Sequence, residues 1–228
     1  MEILSRRQFL TDGALLAGGT LGTLALGSGM LAPRPAQAAK ADFVQTQCGH
    51  SSNGAKKVLV AYTSYCGSTG EVAATMGQAL CDQGLSVDVR QTKNIHDLTP
   101  YKAVVLGSAV RSSSWWPEAI EFVDGHEKEL RHMPVAYFLT CLALYKDNPG
   151  SRKVARSYMD PVLNAVPSVK VIDMGFFAGA LNYSKLNLIY RTVMKSKMKK
   201  RGVPQGDFRN FNAIRAWATG LAAPMSKA

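Results

Sequence analysis

"VLVAYTSYCGSTGEVAATMGQAL", from Val58 to Leu80, changes its pattern twice. The run from Val58 to Tyr62 is apolar without alternation, which indicates a strand buried on both faces. A cluster of Ser, Thr and Gly follows, and from Thr69 onward apolar residues recur at helical spacing. The stretch therefore predicts a strand, a turn and a helix, with the turn at the carboxyl end of the strand.

Short apolar runs of the same kind recur along the chain, and most are separated by helix-like stretches. The predicted strands are Val58–Tyr62, Val87–Val89, Ala103–Gly107, Val135–Leu139 and Val169–Ile172. The predicted helices are Thr69–Gln83, Pro117–Glu129, Arg152–Asn164 and Phe211–Leu221. Five such units without an internal repeat predict an α/β domain with a doubly wound, five-stranded parallel sheet. A hydrophobic content of 46% in 228 residues suits one folded domain.

The first 38 residues do not belong to this domain. "SRRQFL" (Ser5 to Leu10) precedes an uncharged, Gly-rich apolar run that ends at Pro33, and Ala36-Gln37-Ala38 has the A-x-A cleavage pattern. This segment resembles a twin-arginine export signal, although Thr11 stands where that pattern often has Lys. The resemblance implies export to the periplasm; an uncut membrane anchor is the alternative. We predict a signal over 1–38, a polar tether over 39–55 and the folded domain over 56–228.

Positive charge is concentrated in the C-terminal quarter. The chain carries a net charge of +11. From Leu181 to the end it has ten basic residues and one acidic residue, Asp207. A basic helical insertion is predicted near 183–202, where apolar residues recur at helical spacing between lysines. Contact with an anionic membrane surface from Lys185 to Arg201, a helix docked on the core, and an acidic redox partner are the alternatives. No nucleic-acid recognition motif is present.

The opening turn has the position of a phosphate site, because in such sheets phosphates bind at the start of the helix that follows the first strand. It has neither the Gly-x-x-x-x-Gly-Lys pattern of nucleotide triphosphatases nor the Gly-x-Gly-x-x-Gly pattern of dinucleotide sites. Ser64, Ser68 and Thr69 offer hydroxyl donors, Gly67 permits close backbone approach, and the turn contains no cation. These residues predict a monophosphate held by neutral donors; an ordinary turn with Thr69 as helix N-cap is the alternative.

The turn resembles the phosphate loop of the flavodoxin family, which has the form Thr/Ser-x-x-Gly-x-Thr and holds the phosphate of FMN. The matching residues are Ser64, Tyr65, Cys66, Gly67, Ser68 and Thr69. Cys66 departs from the Thr found in many flavodoxins, so one hydroxyl donor is lost. The resemblance implies that FMN is the cofactor.

Two later segments lie where this family has its flavin-binding loops: "GSAVRSSSWWPEA" from Gly107 and "LTCLALYKDNPGSRK" from Leu139. The resemblance implies that the flavin ring is bordered by Ser108, Ala109, Val110, Arg111, Thr140, Cys141 and Leu142. Trp116, or its neighbour Trp115, is a candidate for stacking on the ring or for packing. Arg111 is a candidate for steadying negative charge on the reduced flavin or for a surface ion pair.

The C-terminal part is similar to one branch of that family. "FFAGALNYSKLNLIYRTVMKSKMKKRG" and "PQGDFRNFNAIRAWA" resemble the corresponding segments of menaquinone-dependent protoporphyrinogen oxidases. This likeness implies FMN and a quinone as partners, since those enzymes pass electrons from a porphyrinogen to a quinone at the membrane.

The cysteines and histidines predict no metal site. The four cysteines, Cys48, Cys66, Cys81 and Cys141, have no C-x-x-C spacing, and the four histidines show no ligand spacing. An oxidising compartment permits disulfides, but four cysteines allow three pairings and the sequence does not choose among them. Cys66 and Cys141 lie on the two predicted flavin-side loops, so their proximity is a hypothesis beside that of buried, inert thiols.

Three functions are compatible with these features. The first is an exported FMN protein that carries electrons, and the second is an FMN-dependent oxidoreductase such as a protoporphyrinogen oxidase. The third is a flavodoxin-like binding protein that has lost flavin. Export disfavours porphyrinogen oxidation, because haem precursors are normally made in the cytoplasm. No residue is identified as a general acid or base.

Overall fold

A mostly parallel sheet of seven strands forms the centre of the computed structural model, which describes residues 43–49 and 55–227. The strands are β1 (Thr46–Cys48), β2 (Lys57–Thr63), β3 (Val87–Gln91), β4 (Tyr101–Arg111), β5 (Ser114–Trp115), β6 (Val135–Cys141) and β7 (Val171–Ala178). Their order is β1-β3-β2-β4-β6-β7, with β5 paired to β4. The five strands from β3 to β7 along this path are parallel. The predicted doubly wound parallel sheet is confirmed.

Two strand predictions differ from the structure. The last strand covers Val171–Ala178 instead of Val169–Ile172, because Asp173, which is exposed on this edge strand, interrupts the apolar run used to find it. Within the predicted tether 39–55, Thr46–Cys48 forms β1, which pairs antiparallel with β3. Its polar residues lie at the exposed edge of the sheet, where burial does not demand apolar side chains.

The helices cover both faces of the sheet. They are α1 (Ser68–Asp82), α2 (Pro117–Gly125), α3 (Glu127–Leu130), α4 (Pro149–Ser157), α5 (Asp160–Ala165), α6 (Leu188–Arg201) and α7 (Phe211–Ser226). The predicted helix 152–164 is divided between α4 and α5, since Pro161 has no N–H to continue the ladder from α4. The predicted helix 117–129 is likewise divided into α2, which ends at Gly125, and α3, which begins at Glu127.

Two hydrophobic cores lie on opposite faces of the sheet. On one face, Val72 and Met76 of α1 pack with Ile214 and Leu221 of α7 against the strands. On the other face, α2, α4 and α5 cover the sheet, with Phe122 among the core residues. β6 is buried along its whole length. The central strands must therefore be apolar on both sides, which is why their runs were visible in the sequence.

A small subdomain stands between β7 and α7. Strands β8 (Ala180–Leu181) and β9 (Gly206–Asp207) form an antiparallel pair at its base, and α6 lies between them. Asn187 caps α6 by accepting a hydrogen bond from the Tyr190 amide, and Gly202 ends it with φ +65°. Only the C-terminal part of α6 reaches a core, through Met198, which packs with Leu181 and Val203.

A disulfide joins Cys48 of β1 to Cys81 of α1, a pairing that the sequence alone left open. Cys66 and Cys141 are free thiols. The bond connects the edge strand to the helix that packs on the neighbouring strands, so it fastens the start of the folded region to the core.

Gly107 is required for packing between β4 and β6. A Cβ placed there would lie 2.2 Å from the Phe138 ring, which is fully buried and cannot retreat. We expect Gly107→Ala to lower the free energy of unfolding by about 1 to 3 kcal/mol through overpacking. Gly220→Ala is the matched control: its Cβ meets nothing within 4 Å, so in the exposed interior of α7 it should raise stability by about 1 kcal/mol. Urea denaturation of both variants measures the two changes in the free energy of unfolding. The same change in both variants would contradict this packing argument.

Burial of two tyrosines predicts alkaline unfolding. Burial raises the pKa of Tyr62 to about 12, and burial together with the nearby Asp88 carboxylate raises the pKa of Tyr101 to about 12. The unfolded chain ionises first, near the ordinary tyrosine value of about 10. The free energy of unfolding therefore keeps its full value below a pH of about 10 and decreases as the pH rises toward 12. Circular dichroism with tyrosinate absorbance should show this loss, and it should be shallower in Tyr62→Phe; an unchanged slope in that variant would rule out the contribution of Tyr62.

Candidate cofactor site

The predicted phosphate loop joins β2 to α1 and exposes backbone donors. Gly67 has φ +85°, a conformation that favours glycine, and its amide donates to Ser64 Oγ at 3.0 Å. Its carbonyl accepts from the amides of Gly70 and Glu71. Among the described residues, no backbone acceptor takes the amides of Ser68 and Thr69. The first turn of α1 thus retains free N–H groups, which suit an anion.

A cavity of about 690 Å³ opens beside this loop, at the carboxyl ends of β2, β4 and β6. It brings together most of the residues predicted from the sequence. Those lining it are Ser64, Tyr65, Cys66, Ser68, Ala109, Val110, Arg111, Trp116, Thr140, Cys141 and Leu142. A volume of this size is typical of small-molecule and cofactor sites.

Gly67, Thr69 and Ser108 do not line the cavity. Thr69 is fully buried, and its hydroxyl bonds to that of Thr140 at 2.8 Å. Ser108 is also fully buried; its Oγ donates to the Ala109 carbonyl and accepts from the Trp116 amide. The N-cap reading of Thr69 is wrong, because Gly67 occupies that position and no side chain caps the helix. The hydroxyls of Thr69 and Ser108 thus form hydrogen bonds within the protein.

Aromatic rings line one side of the cavity. Tyr65 and Trp116 stack with centroids 5.3 Å apart and an interplanar angle of 5°, and Tyr190 of α6 lies 5.1 Å from Tyr65. A planar ring between two others needs about 7 Å, so none fits between Tyr65 and Trp116 as they stand. Trp115 is buried against Tyr137 and serves packing. Of the two tryptophans, Trp116 is therefore the one that lines the cavity.

Arg111 lies against the aromatic rings. Its guanidinium is 4.7 Å from the centroid of Trp116 and 5.7 Å from that of Tyr190. No carboxylate among residues 43–49 and 55–227 pairs with it, so the surface ion pair weighed as an alternative is absent from this part of the chain. The site thus has an uncompensated cation on an aromatic surface.

Sequence reasoning did not identify the residues that α6 contributes to the cavity, nor the position of Arg209. Ile189, Tyr190, Val193 and Met194 of α6 line the same cavity, although they are distant from the phosphate loop in sequence. Their helical periodicity was visible, but only the tertiary structure shows which side faces the cavity. Arg209 was part of a recognised motif without an assigned role, and it lies beside the phosphate loop.

Cys66 and Cys141 both line the cavity as free thiols, and no disulfide joins them. Burial raises the pKa of Cys66, opposed by the charge of Lys185, and burial raises the pKa of Cys141 to about 11. Both sulfurs are therefore protonated thiols at neutral pH and weak nucleophiles. In the described part of the chain, no three His, Cys, Asp or Glu side chains are arranged to hold a metal ion.

The residues present fit FMN. The large cavity combines aromatic and apolar walls with a few polar groups, as a flavin ring requires, and free amides at α1 suit its phosphate. The sheet order and the position of this site, at the point where the chain reverses direction across the sheet, define a flavodoxin-like domain.

The chain belongs to the flavodoxin domain family, whose model matches residues 59–206. It is 28% identical over 178 residues to a protoporphyrinogen IX dehydrogenase [quinone] of Leishmania major, covering 73% of this chain and 75% of that relative. A protein of the same name from Escherichia coli is 27% identical over 151 residues, covering 64% and 81%. The flavodiiron core of Synechocystis shares the fold, with a TM-score of 0.51 at 9% identity; the likeness covers 77% of this chain and 37% of that one.

Proposed function

We propose that this protein is an exported, FMN-binding redox protein that passes electrons to or from a quinone. The observation that carries the proposal is the cavity of about 690 Å³, in which the phosphate loop meets the loops after β4 and β6. When bound, FMN supplies the group that accepts and donates electrons or hydride. The chain itself binds, orients and shields that group.

Each part of the cavity has a distinct role in this proposal. Ser64 and Ser68, with the free amides at the start of α1, bind the phosphate. Trp116 and Tyr65 form an aromatic wall of the cavity, and the backbone around Val110 and Cys141 borders the flavin ring. Arg111 holds positive charge close to the ring, which favours the reduced and more negative state of a flavin.

The link to a quinone is supported by relatives named for it and by the surface of α6. Leu188 and Ile189 are 75% and 77% exposed, and Val193 is 45% exposed, next to a series of lysines. An apolar patch flanked by cations suits the surface of an anionic membrane, where quinones are dissolved. Within the described residues, no helix has the length and apolar character to cross a bilayer. We therefore propose surface contact through Lys185 to Arg201.

Export is supported by the segment 1–38, which lies outside the described residues, and by the Cys48–Cys81 disulfide, since such bonds persist in oxidising compartments.

Oxidation of a porphyrinogen with quinone as acceptor is the second candidate function, favoured by the names of the relatives. A flavin-free binding protein is the third.

The proposal is tested by adding FMN to the purified protein, removing the excess and recording the visible spectrum. Retained flavin bands, followed by quinone reduction when the flavin is chemically reduced, would support it. Turnover of a porphyrinogen in the same assay would favour the second candidate. A protein that retains no flavin would overturn the proposal and leave the binding protein.

Membrane contact gives a separate prediction. In Leu188→Ser/Ile189→Ser the exposed apolar patch is lost, so we expect binding to vesicles of anionic lipid to fall about tenfold or more. Val154→Ser removes a side chain that is 45% exposed on α4 and serves as the control. Vesicle sedimentation at several salt concentrations measures both. Equal binding of the α6 variant and the wild type would rule out α6 as the membrane surface.

A further inference from the structure

The cavity wall that α6 forms changes its character along the helix. Residues four apart on α6 line the cavity in one row: Ile189, Val193, Lys197 and Arg201. Side chains at this spacing are neighbours on a single helix face. The row begins with two apolar side chains and ends with two cations, so apolar surface leads into positive charge along this wall.

Lys197 and Arg201 have no counter-charge. No carboxylate among residues 43–49 and 55–227 pairs with either of them. The described lining of the cavity contains no Asp or Glu at all, whereas Arg111 adds a third cation. A cleft lined by charges of one sign concentrates their field between its walls. The cavity therefore attracts an anion.

The two α6 cations lie at a distance from the phosphate loop. The ring of Tyr190, near the start of α6, lies 5.1 Å from that of Tyr65 in the loop. The rise of an α-helix places Lys197 about 10 Å and Arg201 about 16 Å farther along the helix axis. A phosphate bound at the loop leaves these two cations to another anionic group.

Apolar side chains surround the cationic end of the row. Most of them are aliphatic or contain sulfur: Leu142, Leu181, Met194, Met198 and Val203. Tyr145 is the aromatic member of this group, and its ring packs edge-on against Phe208. Methionine side chains adapt to irregular apolar shapes. This end of the cavity thus suits a flexible aliphatic chain, while the stacked rings of Tyr65 and Trp116 form the other end.

We propose that the α6 end of the cavity binds a carboxylic acid with a long aliphatic chain. The chain lies against Val193, Met194 and Met198, and the carboxylate is held by Lys197 and Arg201. The planar fork of an arginine matches the two oxygens of a carboxylate, and the lysine supplies a second charge. This site is additional to the proposed flavin site and does not depend on it. Binding requires both parts of the ligand, so a neutral chain or a short carboxylate is a poor substitute.

The experiment is a calorimetric titration of the full chain with dodecanoate, dodecanol and acetate, each below its micelle concentration. The wild type should bind dodecanoate about tenfold or more tightly than dodecanol, and acetate should not bind. In Lys197→Gln/Arg201→Gln the affinity for dodecanoate should fall to that for dodecanol, which should not change. Lys199→Gln/Lys200→Gln is the matched control, because it lowers the net charge of the same helix equally at exposed positions that do not line the cavity.

Loss of dodecanoate binding confined to Lys197→Gln/Arg201→Gln would establish the site. An equal loss in the control variant would assign the binding to the general charge of α6 and overturn the proposal. Equal affinities of the wild type for dodecanoate and dodecanol, or no binding of dodecanoate, would also overturn it. A second titration in excess FMN should give the same affinity for dodecanoate. Competition by FMN would contradict a separate site.

Discussion

Replacing Ser68 with Asp should weaken FMN binding on the order of 100-fold or more, because a new carboxylate at the phosphate loop repels the phosphate dianion. Ser68 is the first residue of α1 and lines the cavity. Helix N-termini favour acidic residues, so Ser68→Asp should leave the fold intact and its melting temperature unchanged or raised. The substitution thus separates binding from stability.

Riboflavin and Ser68→Ala provide the controls for this experiment. Riboflavin has no phosphate, so its affinity should be the same in Ser68→Asp and the wild type. Ser68→Ala removes one hydroxyl donor without adding charge, and its loss of FMN affinity should be about tenfold or less. Titrations of absorbance and thermal denaturation measure both properties. Undiminished FMN binding by Ser68→Asp would place the phosphate elsewhere.

Removal of the Cys48–Cys81 disulfide should lower the free energy of unfolding by about 3 to 4 kcal/mol. The two cysteines are 33 residues apart, and closing a loop of that length restricts the unfolded chain considerably. In the folded state the bond also fastens β1, which otherwise pairs with β3 over only three residues. We expect Cys48→Ala/Cys81→Ala to unfold at markedly lower urea concentration than the wild type.

Three further measurements test whether the loss of stability comes from the disulfide. Cys66→Ala removes a half-buried free thiol and should change stability far less. A reducing agent should lower the stability of the wild type toward that of the double variant and leave the double variant unaffected. A thiol count on the denatured, oxidised protein should find two free thiols, from Cys66 and Cys141. Four free thiols, or equal stability with and without reducing agent, would refute the role of the disulfide.

The parallel sheet could be predicted because its central strands are buried on both faces. Val58 to Tyr62 and β6 carry continuous apolar runs for that reason, and the runs mark their strands without knowledge of neighbours. β1 could not be predicted, since its edge residues are largely exposed and need not be apolar, and the end of β7 was missed because the exposed Asp173 interrupts its apolar run. Their existence depends on hydrogen bonds to β3 and β6.

Most of the cavity lining could also be predicted, because a parallel sheet brings the carboxyl ends of its strands to one edge. The direction in which each side chain points could not be predicted from the sequence. Thr69 and Ser108 stand in the predicted loops, yet their hydroxyls bond within the protein. Local sequence places a residue in a loop, but packing determines whether its side chain faces the cavity or the core.

By itself, the sequence determined the α/β architecture, the position of the phosphate loop and the loops that border the cavity, since these follow from hydrophobic periodicity and chain order. The tertiary structure alone decided that Cys48 pairs with Cys81, that α6 covers the cavity and that Arg209 and Lys185 stand beside Ser68 and Glu71. Those contacts join residues separated by 33 to 141 positions. Such pairs meet only when the chain has folded, because no local pattern encodes the distance between them.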